Sequence, residues 1–542
     1  MKKILSLILF IVGALNSYSQ INESTNNTAY DFLYRMAEKG LIEIQDYITP
    51  LSRDEINKSL QTLKLKDSLL TNVEKKELAF YIRDFYYDNY DGSVKEKTSF
   101  LKKDKADRFR TLYIIDDKVR FFLDPIAGAS YSHYNNGMHN ILYYSGVRLY
   151  GNIGKHIGLN ISFRDITESG DSLNSTKKFT PVTGIINTSQ KASQLNYSDL
   201  NFNIGYKWAN GSVNIGKDHL NWGYGIAGKI VLSSKAPSFP YISLDYKPFK
   251  WLRFNYFNAW LASNIVDSSR SYNTGAPGAS IYRTVDRSKF MAHHSISILP
   301  VKGLDISIGE SMIYSDKLDV AYLVPVNFFK AYDQYASNYG LNSGSNSQFF
   351  GQISSRNQIK NTHLYLVCFI DELKLSKIFD RVQSRNQLGY TIGVNRTDLF
   401  AKYLTLGVEY THINPFVYNN LIPAQTYESS SSVMGDWMGN NADRLYLYLK
   451  YTPIARLKFN LWFQSIRKGG AGTLQQQYNI QPQPDFLFDR MFDKRNVGLD
   501  VSYELINKLM LNFNYNNERT KYYNGLPTTA IGAVSVGFSY GL

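Results

Sequence analysis

The sequence predicts an all-β fold, a transmembrane antiparallel β-barrel of about 18 strands that follows a small N-terminal helical region. Three observations support this prediction. The chain begins with an export signal and has no later membrane helix, apolar and polar residues alternate from about residue 113, and the linkers alternate between short and long. A closed sheet pairs every backbone group in a bilayer, so it spans the membrane without a helix.

The N-terminus is typical of a secretory signal peptide. Lys2 and Lys3 precede the apolar run 4–15, and small residues follow at a suitable cleavage site. Residues 1–19 are therefore predicted to be removed, which makes Gln20 the first mature residue. No cysteine follows the signal for a lipid anchor, and no later run of about 18 apolar residues would form a spanning helix.

The composition fits an exported, strand-rich chain. Its 542 residues include 42 Tyr and 31 Phe, which favour strands, and the single cysteine, Cys368, has no partner for an internal disulfide. The formal net charge of +14 falls to +12 when the two signal lysines leave. A basic surface suits lipopolysaccharide phosphates or an acidic polysaccharide, whereas export argues against nucleic acid as a partner.

Residues 20–112 are predicted to form a helical region in the periplasm. The segment 27–40 has apolar residues at helical spacing, and Gly40 suits the position just after a helix end. Two capping-box patterns, at 52–55 and 71–74, predict the starts of two further helices. We expect this region to be the one that meets any periplasmic or export-machinery partner.

Residues 113–542 are predicted to form the barrel and its long extracellular loops. In the segment 200–208, for example, every second residue is a large apolar one and the residues between are Asn, Gly and Lys. The same period of two recurs at 457–464 and 509–516, and about 18 such strands fit between residue 119 and the C-terminus. The final segment 530–542 repeats the alternation to the end of the chain.

The linkers distinguish a barrel from a soluble sandwich, which would also alternate. Short linkers such as 208–211 and 453–455 take turns with long ones such as 168–196, 313–347 and 412–442. If the helical region lies in the periplasm, every short turn falls on that side and every long loop falls outside. Outer-membrane barrels have this asymmetry.

The stretch 216–241, GKDHLNWGYGIAGKIVLSSKAPSFPY, follows the fifth predicted strand in a loop expected to fold over the lumen. Its aromatic rings suit the apolar faces of sugars, and its polar groups suit their hydroxyls. The same residues equally suit a loop wedged against the barrel wall, with glycines that permit tight turns. The candidate glycan contacts are Asp218, His219, Trp222 and Tyr224, and the structural glycines are Gly223, Gly225 and Gly228.

Three further candidate glycan contacts lie on strands or at strand–loop borders: Glu310, Asn441 and Asp443. Glu310 is predicted to be either a luminal ion-pair partner or a ligand contact, and an Asx-rich border is often only turn chemistry. Three cations are predicted to face the lumen, where they either attract an anionic glycan or pair with luminal acids: Arg164, Lys207 and Lys458.

The residues give little support for catalysis. Asp218 with His219 would make an acid–base pair, and Ser233 or Ser234 a nucleophile, but no nucleophile motif surrounds these serines. His293 and His294 are adjacent on a strand, so they face opposite sides and cannot bind one metal. We expect neither an enzymatic activity nor a metal or other cofactor.

Four segments, in chain order, resemble the Wzi capsule-assembly family. The stretch 216–241 has the glycine- and tryptophan-rich signature with a W-G-x-G core, a later L-S and a proline-rich end. The segment 31–60 is similar to the family's helical entry, and 289–329 to a middle block with Gly-Glu before Tyr-Leu-x-Pro. The pair 408–418 and 435–451 resembles the late block, GNNAD included.

The resemblance implies an outer-membrane, lectin-like barrel of a Gram-negative bacterium that binds exported surface polysaccharide and supports capsule assembly. It also implies a periplasmic helical region, loops that obstruct the lumen, and contact with outer-membrane lipid and lipopolysaccharide. The chain departs from the signature, because Trp222 is its single tryptophan, preceded by Asn221 and followed by Gly223 and Tyr224. The sugar that it binds can therefore differ.

A porin or solute channel is the alternative function. The loop segment 321–332 argues against it, because its sequence AYLVPVNFFKAY is more apolar than an exposed loop should be. We expect this segment to pack inward and to help plug the barrel.

Overall fold

The computed structural model describes residues 21–541, apart from 90–95, 117, 187–188, 192, 276–280, 341–343 and 381. The predicted signal peptide, residues 1–19, and the terminal Leu542 lie outside the described residues. Antiparallel strands form a closed barrel in which the last strand pairs with the first. This confirms the predicted fold class and the number of strands.

The wall strands are β1 Val119–Tyr134, β2 His139–Ile153, β3 Ile157–Gly170, β4 Gln194–Trp208, β5 Gly211–Asp218, β6 Phe239–Phe249, β7 Leu252–Val266, β8 Asp286–Val301, β9 Leu304–Ser315, β10 Asn346–Arg356, β11 Thr362–Glu372, β12 Gln387–Thr397, β13 Leu404–Ile413, β14 Ala442–Ile454, β15 Leu457–Lys468, β16 Phe492–Ile506, β17 Leu509–Tyr522 and β18 Thr529–Tyr540. Each one coincides with a predicted strand.

The alternation along each strand sorts side chains between the outside and the lumen. On β4, Ile204 points outward and is 49% exposed, whereas its neighbour Asn203 points inward and is 1% exposed. A protein in water would place these residues the other way round. An apolar exterior over a polar interior is the arrangement expected of a barrel surrounded by lipid.

The two ends of the barrel differ in their connections, as the linker lengths predict. At one end, here the short-turn end, the strands are joined by turns such as 209–210, 250–251, 302–303 and 455–456. The other end, the long-loop end, carries the connections 135–138, 171–193, 219–238, 267–285, 316–345, 373–386, 414–441, 469–491 and 523–528.

The N-terminal region contains the helices α1 Ala29–Glu38, α2 Arg53–Lys64 and α3 Asn72–Asp84. Helix α3 begins at the predicted capping box, where Thr71 and Glu74 satisfy each other's backbone N–H groups. Gly40 follows α1 with φ +69°, a conformation that glycine adopts without strain. Two short helices lie in the loops, α4 Phe329–Asn338 and α5 Leu474–Tyr478. Among the described residues, no helix is both long and apolar enough to cross a membrane.

The segment predicted to be helical as far as residue 112 changes its structure before that point. Residues Glu96–Lys103 and Phe109–Ile115 form a hairpin whose second strand pairs with Arg120–Leu123 of β1. The remainder of β1, from Ala127 to Tyr134, pairs with β18. The hairpin therefore extends the wall at the short-turn end, and the region is only partly helical.

Candidate functional site

The connection 219–238, here the luminal loop, enters the barrel from the long-loop end. Trp222 is only 2% exposed, and its ring lies 3.8 Å from the His293 ring and 5.4 Å from the Phe257 ring, centroid to centroid. Phe350 packs on the same cluster. These three partners come from β8, β7 and β10, so Trp222 wedges the loop against the inner wall.

The N-terminal segment reaches the same place from the opposite end. Ile48 and Thr49 pair with Trp222 and Asn221 as a two-residue antiparallel ladder. The backbone N–H of Gly223 donates to the Tyr47 carbonyl at 2.7 Å, and the Tyr47 hydroxyl donates to Asn255 on the wall at 2.6 Å. The two segments therefore meet inside the barrel and fill the lumen there.

The three glycines permit the close approach of the luminal loop to its surroundings. Gly223 has φ +100°, a conformation that other residues rarely adopt. A Cβ atom on Gly225 would lie 1.9 Å from the Gly228 carbonyl oxygen, and one on Gly228 would lie 2.2 Å from a carboxylate oxygen of Asp436. Each position excludes a larger residue for a different geometric reason.

A buried charged cluster anchors the same turn. The backbone N–H groups of Ile226 and Ala227 donate to the two carboxylate oxygens of Glu409 at 2.6 and 3.1 Å. Arg444 pairs with Asp436 at 2.9 Å and approaches Glu409 to 3.7 Å. The sequence reasoning missed this cluster, although an arginine on an inward strand position requires an acidic partner.

Tyr224 is buried inside the barrel and is only 5% exposed. Its ring packs against His363 at 5.6 Å and Tyr365 at 6.0 Å, and the Arg356 guanidinium lies 5.6 Å from its centroid. Burial raises the pKa of the Tyr224 hydroxyl well above its ordinary value. The ring serves the packing of the luminal loop.

Asp218 and His219 do not form a side-chain pair. Asp218 accepts the backbone N–H of His219 at 2.8 Å, while the His219 Nε2 atom lies 3.9 Å from Asp199 on β4. His219 Nδ1 is buried and has no hydrogen-bond partner among the described residues. Ser233, one of the two serines considered as a nucleophile, donates its hydroxyl to the Gly435 carbonyl at 2.5 Å. This geometry offers no nucleophile–base arrangement.

His219 instead lines a cavity of about 260 Å³ near the long-loop end, here the His219 cavity. Arg164 pairs with Asp199 at 2.6 Å in this cavity, and Lys217 donates to the Ser238 hydroxyl at 2.6 Å. The rings of Tyr144 and Tyr197 also line it. The cavity combines aromatic faces with charged and hydroxyl groups, which are the groups that recognise a sugar.

Glu310 is not luminal, so the first of its two predicted roles, a luminal ion-pair partner, is wrong. It shares the outward face of the wall with His294, whose Nε2 atom lies 3.2 Å from its carboxylate. The carboxylate accepts the backbone N–H groups of Phe329 at 2.5 Å and Lys330 at 3.4 Å, at the start of α4. The loop 316–345 covers this part of the outer wall, which strand alternation alone does not reveal.

The same loop overturns the prediction for the apolar segment 321–332. Tyr322 and Phe329 pack with Tyr256, Phe290 and Met312, whose side chains lie on the outward faces of β7 to β9. The segment therefore lies outside the barrel, and other parts of the chain fill the lumen.

Asn441 and Asp443 hold loops and strands together. Asn441 is fully buried, donates to the Gly470 carbonyl at 2.9 Å and accepts the Leu487 N–H at 2.7 Å. Asp443 accepts from Arg467 Nε and from the Tyr410 hydroxyl, each at 2.9 Å. Both residues thus have a structural role.

The three cations predicted to face the lumen are each paired with an acid, which agrees with the structural alternative. Arg164 pairs with Asp199, Lys207 with Asp54, and Lys458 with Asp31 at 3.0 Å. Two of these acids belong to the N-terminal region, so the pairs also fasten that region to the wall.

The described part of the chain contains no cluster of three or more His, Cys, Asp or Glu side chains that could bind a metal ion. His293 contacts Trp222 in the lumen, whereas the Nδ1–H of His294 donates to the Pro325 carbonyl outside. The two histidines therefore face opposite sides of the wall, as their adjacency on a strand predicts.

Comparison with known proteins adds a family. The family model of the capsule assembly protein Wzi matches residues 177–529. No curated protein matches the sequence. Among solved structures, the chain is similar to Wzi of Escherichia coli, described as an outer membrane protein involved in group 1 capsule assembly and a carbohydrate-binding β-barrel. The TM-score is 0.61 at 11% identity, over 97% of this chain and 99% of that chain.

Two barrels of Pseudomonas aeruginosa are more distantly similar. OccK5 (OpdH) has a TM-score of 0.42 at 10% identity, over 78% of this chain and 98% of that chain. OccD3 (OpdP) has a TM-score of 0.44 at 10% identity, over 78% and 91%.

Proposed function

Because the chain belongs to the capsule assembly protein Wzi family, we propose that it is an outer-membrane barrel that binds exported polysaccharide and supports capsule assembly at the cell surface. In this proposal the short-turn end faces the periplasm and the long-loop end faces outward, where the polysaccharide arrives. The protein acts by binding and has no catalytic role.

The filled lumen is the observation that most favours binding over transport. Tyr47 from the N-terminal segment and Trp222 from the luminal loop share one buried cluster with side chains of several wall strands. A porin needs a water-filled path from end to end, whereas a protein that retains a polymer at the surface does not.

Within the proposal, the His219 cavity is the part of the predicted site that a ligand enters. Its rings of Tyr144 and Tyr197 suit the C–H faces of a sugar, and the His219 imidazole, 23% exposed, forms part of the cavity wall. Trp222 and Tyr224 act indirectly, because they hold the luminal loop that carries His219. Glu310, Asn441 and Asp443 lie away from this cavity and hold loops and strands together.

Deletion of the gene tests the biological role. We expect the deletion strain to lose cell-attached polysaccharide while it continues to secrete the polymer into the medium. A strain that keeps its surface polysaccharide intact would show that the role is wrong.

Binding of the strain's own polysaccharide to the purified barrel tests the site. His219→Ala removes the imidazole from the cavity wall, so we expect binding at least several-fold weaker, since one polar contact to a sugar is worth about 1 kcal/mol. His156→Ala is the matched control, because His156 lies in a short turn at the opposite end, where its Nδ1–H donates to the Lys207 carbonyl at 2.8 Å. Equal losses of binding in both variants would show that the polysaccharide does not bind in the His219 cavity.

A further inference from the structure

The loop 316–345, here the wall loop, leaves the long-loop end and descends along the outside of the barrel. It covers outward side chains of three adjacent strands, among them Tyr256 on β7, Phe290 on β8 and Met312 on β9. Phe328 reaches one strand further, with its ring 6.3 Å from that of Phe349, an outward residue of β10. A soluble loop would not be expected to lie against a lipid-facing wall.

Three outward polar side chains of the wall bind the backbone of this loop. Tyr256 donates its hydroxyl to the Tyr322 carbonyl at 2.9 Å, and His294 donates Nδ1–H to the Pro325 carbonyl at 2.8 Å. Glu310 accepts the N–H groups that begin α4. On a bare wall these groups would face hydrocarbon, where an unpaired polar group costs several kcal/mol.

The wall loop also satisfies much of its irregular backbone internally. The N–H of Val324 donates to the Ala321 carbonyl at 3.3 Å, and that of Asn327 donates to the Val324 carbonyl at 3.1 Å. The Asn327 side chain adds a bond to the Ala321 carbonyl at 3.1 Å. Hydrocarbon tolerates non-helical backbone only when protein groups satisfy it in this way.

The side chains that the segment 320–329 of the loop presents to its surroundings are mostly apolar. The ten residues 320–329 carry no charge, Val326 is 80% exposed and Phe328 is 56% exposed. On the neighbouring bare wall, Ile308 of β9 is 66% exposed. The exposed surface of the loop is thus continuous with the apolar belt of the barrel.

The depth of the loop follows from the strand that it covers. Glu310 lies five positions before Ser315, the last residue of β9, so the loop reaches about 17 Å along that strand at about 3.3 Å per residue. A strand tilt of about 40° makes this roughly 13 Å along the barrel axis from the end of β9, on a wall whose apolar band is about 25 Å tall.

We propose that the wall loop is embedded in the membrane and that the acyl chains of the outer leaflet are its partner. Residues 324–328 lie deepest, and α4 leads back toward the leaflet surface. There Tyr335 and Tyr339, with rings 4.7 Å apart, take the interfacial position that tyrosine favours. The loop takes the place of lipid on the outer face of β7 to β10. This proposal does not depend on glycan binding.

A site-directed spin label tests the proposal in the full mature chain refolded into phosphatidylcholine vesicles. The label is attached to Val326→Cys in a Cys368→Ser background, so that it has a single attachment site. The measurement compares how often the label collides with oxygen, which concentrates in lipid, and with a water-soluble nickel complex. Ile308→Cys provides the lipid-facing reference and Tyr272→Cys, on the exposed hairpin of the loop 267–285, the aqueous reference.

We expect the label at position 326 to match the oxygen preference of the label at 308. A nickel-accessible label like that at 272 would overturn the proposal, because the loop would then face water. A label shielded from both reagents would also overturn it, since another protein surface would cover the loop. Val324→Cys, at a half-exposed position in the same deep segment, repeats the measurement if the first variant fails to refold.

Discussion

Replacing Trp222 should open the contact between the N-terminal segment and the luminal loop. A buried aromatic side chain removes about 150–250 Å² from solvent, worth about 4–6 kcal/mol at about 25 cal/mol per Å². The Trp222 indole N–H is buried without a hydrogen-bond partner among the described residues, which costs about 1–3 kcal/mol. Trp222→Ala is therefore expected to weaken this contact by about 2–4 kcal/mol.

Limited trypsin digestion measures the opening. A loss of 2–4 kcal/mol raises the population of the open form about 30- to 1,000-fold, and cleavage follows that population when the segments reclose quickly. The informative sites are Arg53, buried at the start of α2, and Lys229, whose ammonium group donates to the Gly223 carbonyl in the luminal loop. Mass spectrometry of the fragments identifies both cleavages.

Trp251→Ala is the matched control. Trp251 lies in a short turn, half exposed, and stacks on Phe249 at 5.5 Å, away from the luminal cluster. We expect its cleavage rate to stay within a few-fold of that of the unmodified protein. If Trp222→Ala is cleaved no faster than Trp251→Ala, the luminal cluster does not hold the two segments together and the reasoning fails.

Three other predictions concern the filled lumen, the luminal loop and the helical region. The full chain in planar bilayers should give no large, stable conductance because its lumen is filled, and a porin-like current would reverse the ranking of the two functions. Gly228→Ala should displace the Asp436 carboxylate and lower stability to urea by about 3 kcal/mol, whereas Gly351→Ala, whose new Cβ meets nothing closer than 3.8 Å, should change it little. Burial raises the pKa of Glu38 and Glu77 in the helical region to about 7. Both carboxyl groups hold a proton more tightly in the folded state, so their contribution to stability is complete below about pH 4.5 and disappears as the pH rises through 7. The urea midpoint should therefore fall between pH 5.5 and 8. The double variant Glu38→Gln, Glu77→Gln should show a flatter dependence of the urea midpoint on pH.

The wall of the barrel was predictable because apolar residues have to recur at every second position of a lipid-facing strand. The length of each linker then indicates at which end of the barrel the chain turns. The contact that fills the lumen was not predictable in the same way. Ile48–Thr49 and Asn221–Trp222 pair over two residues each, too few to produce a periodic pattern. Their pairing depends on the closed barrel, which brings together segments more than 170 residues apart in the chain.

Some residues of the candidate site were predictable from the sequence and others were not. The glycines and the tryptophan of the luminal loop were recognisable because their residue types are unusual in that setting, although Trp222 and Tyr224 proved to be buried. Glu310 was assigned to the wrong face because a carboxylate on a barrel strand normally points into the lumen. The wall loop changes that rule by giving the carboxylate backbone N–H partners outside.

The divided pairing of β1 has a mechanical consequence. The seam between first and last strands extends only from Ala127–Tyr540 to Tyr134–Ala533, whereas the ladder between β1 and β2 extends from Val119–Ile153 to His133–His139. The seam therefore has about half the paired length of that ladder, so separating its two strands breaks about half as many backbone contacts. The N-terminal hairpin pairs with four further residues of β1, Arg120–Leu123, so it braces this strand at the short-turn end, beyond the end of the seam.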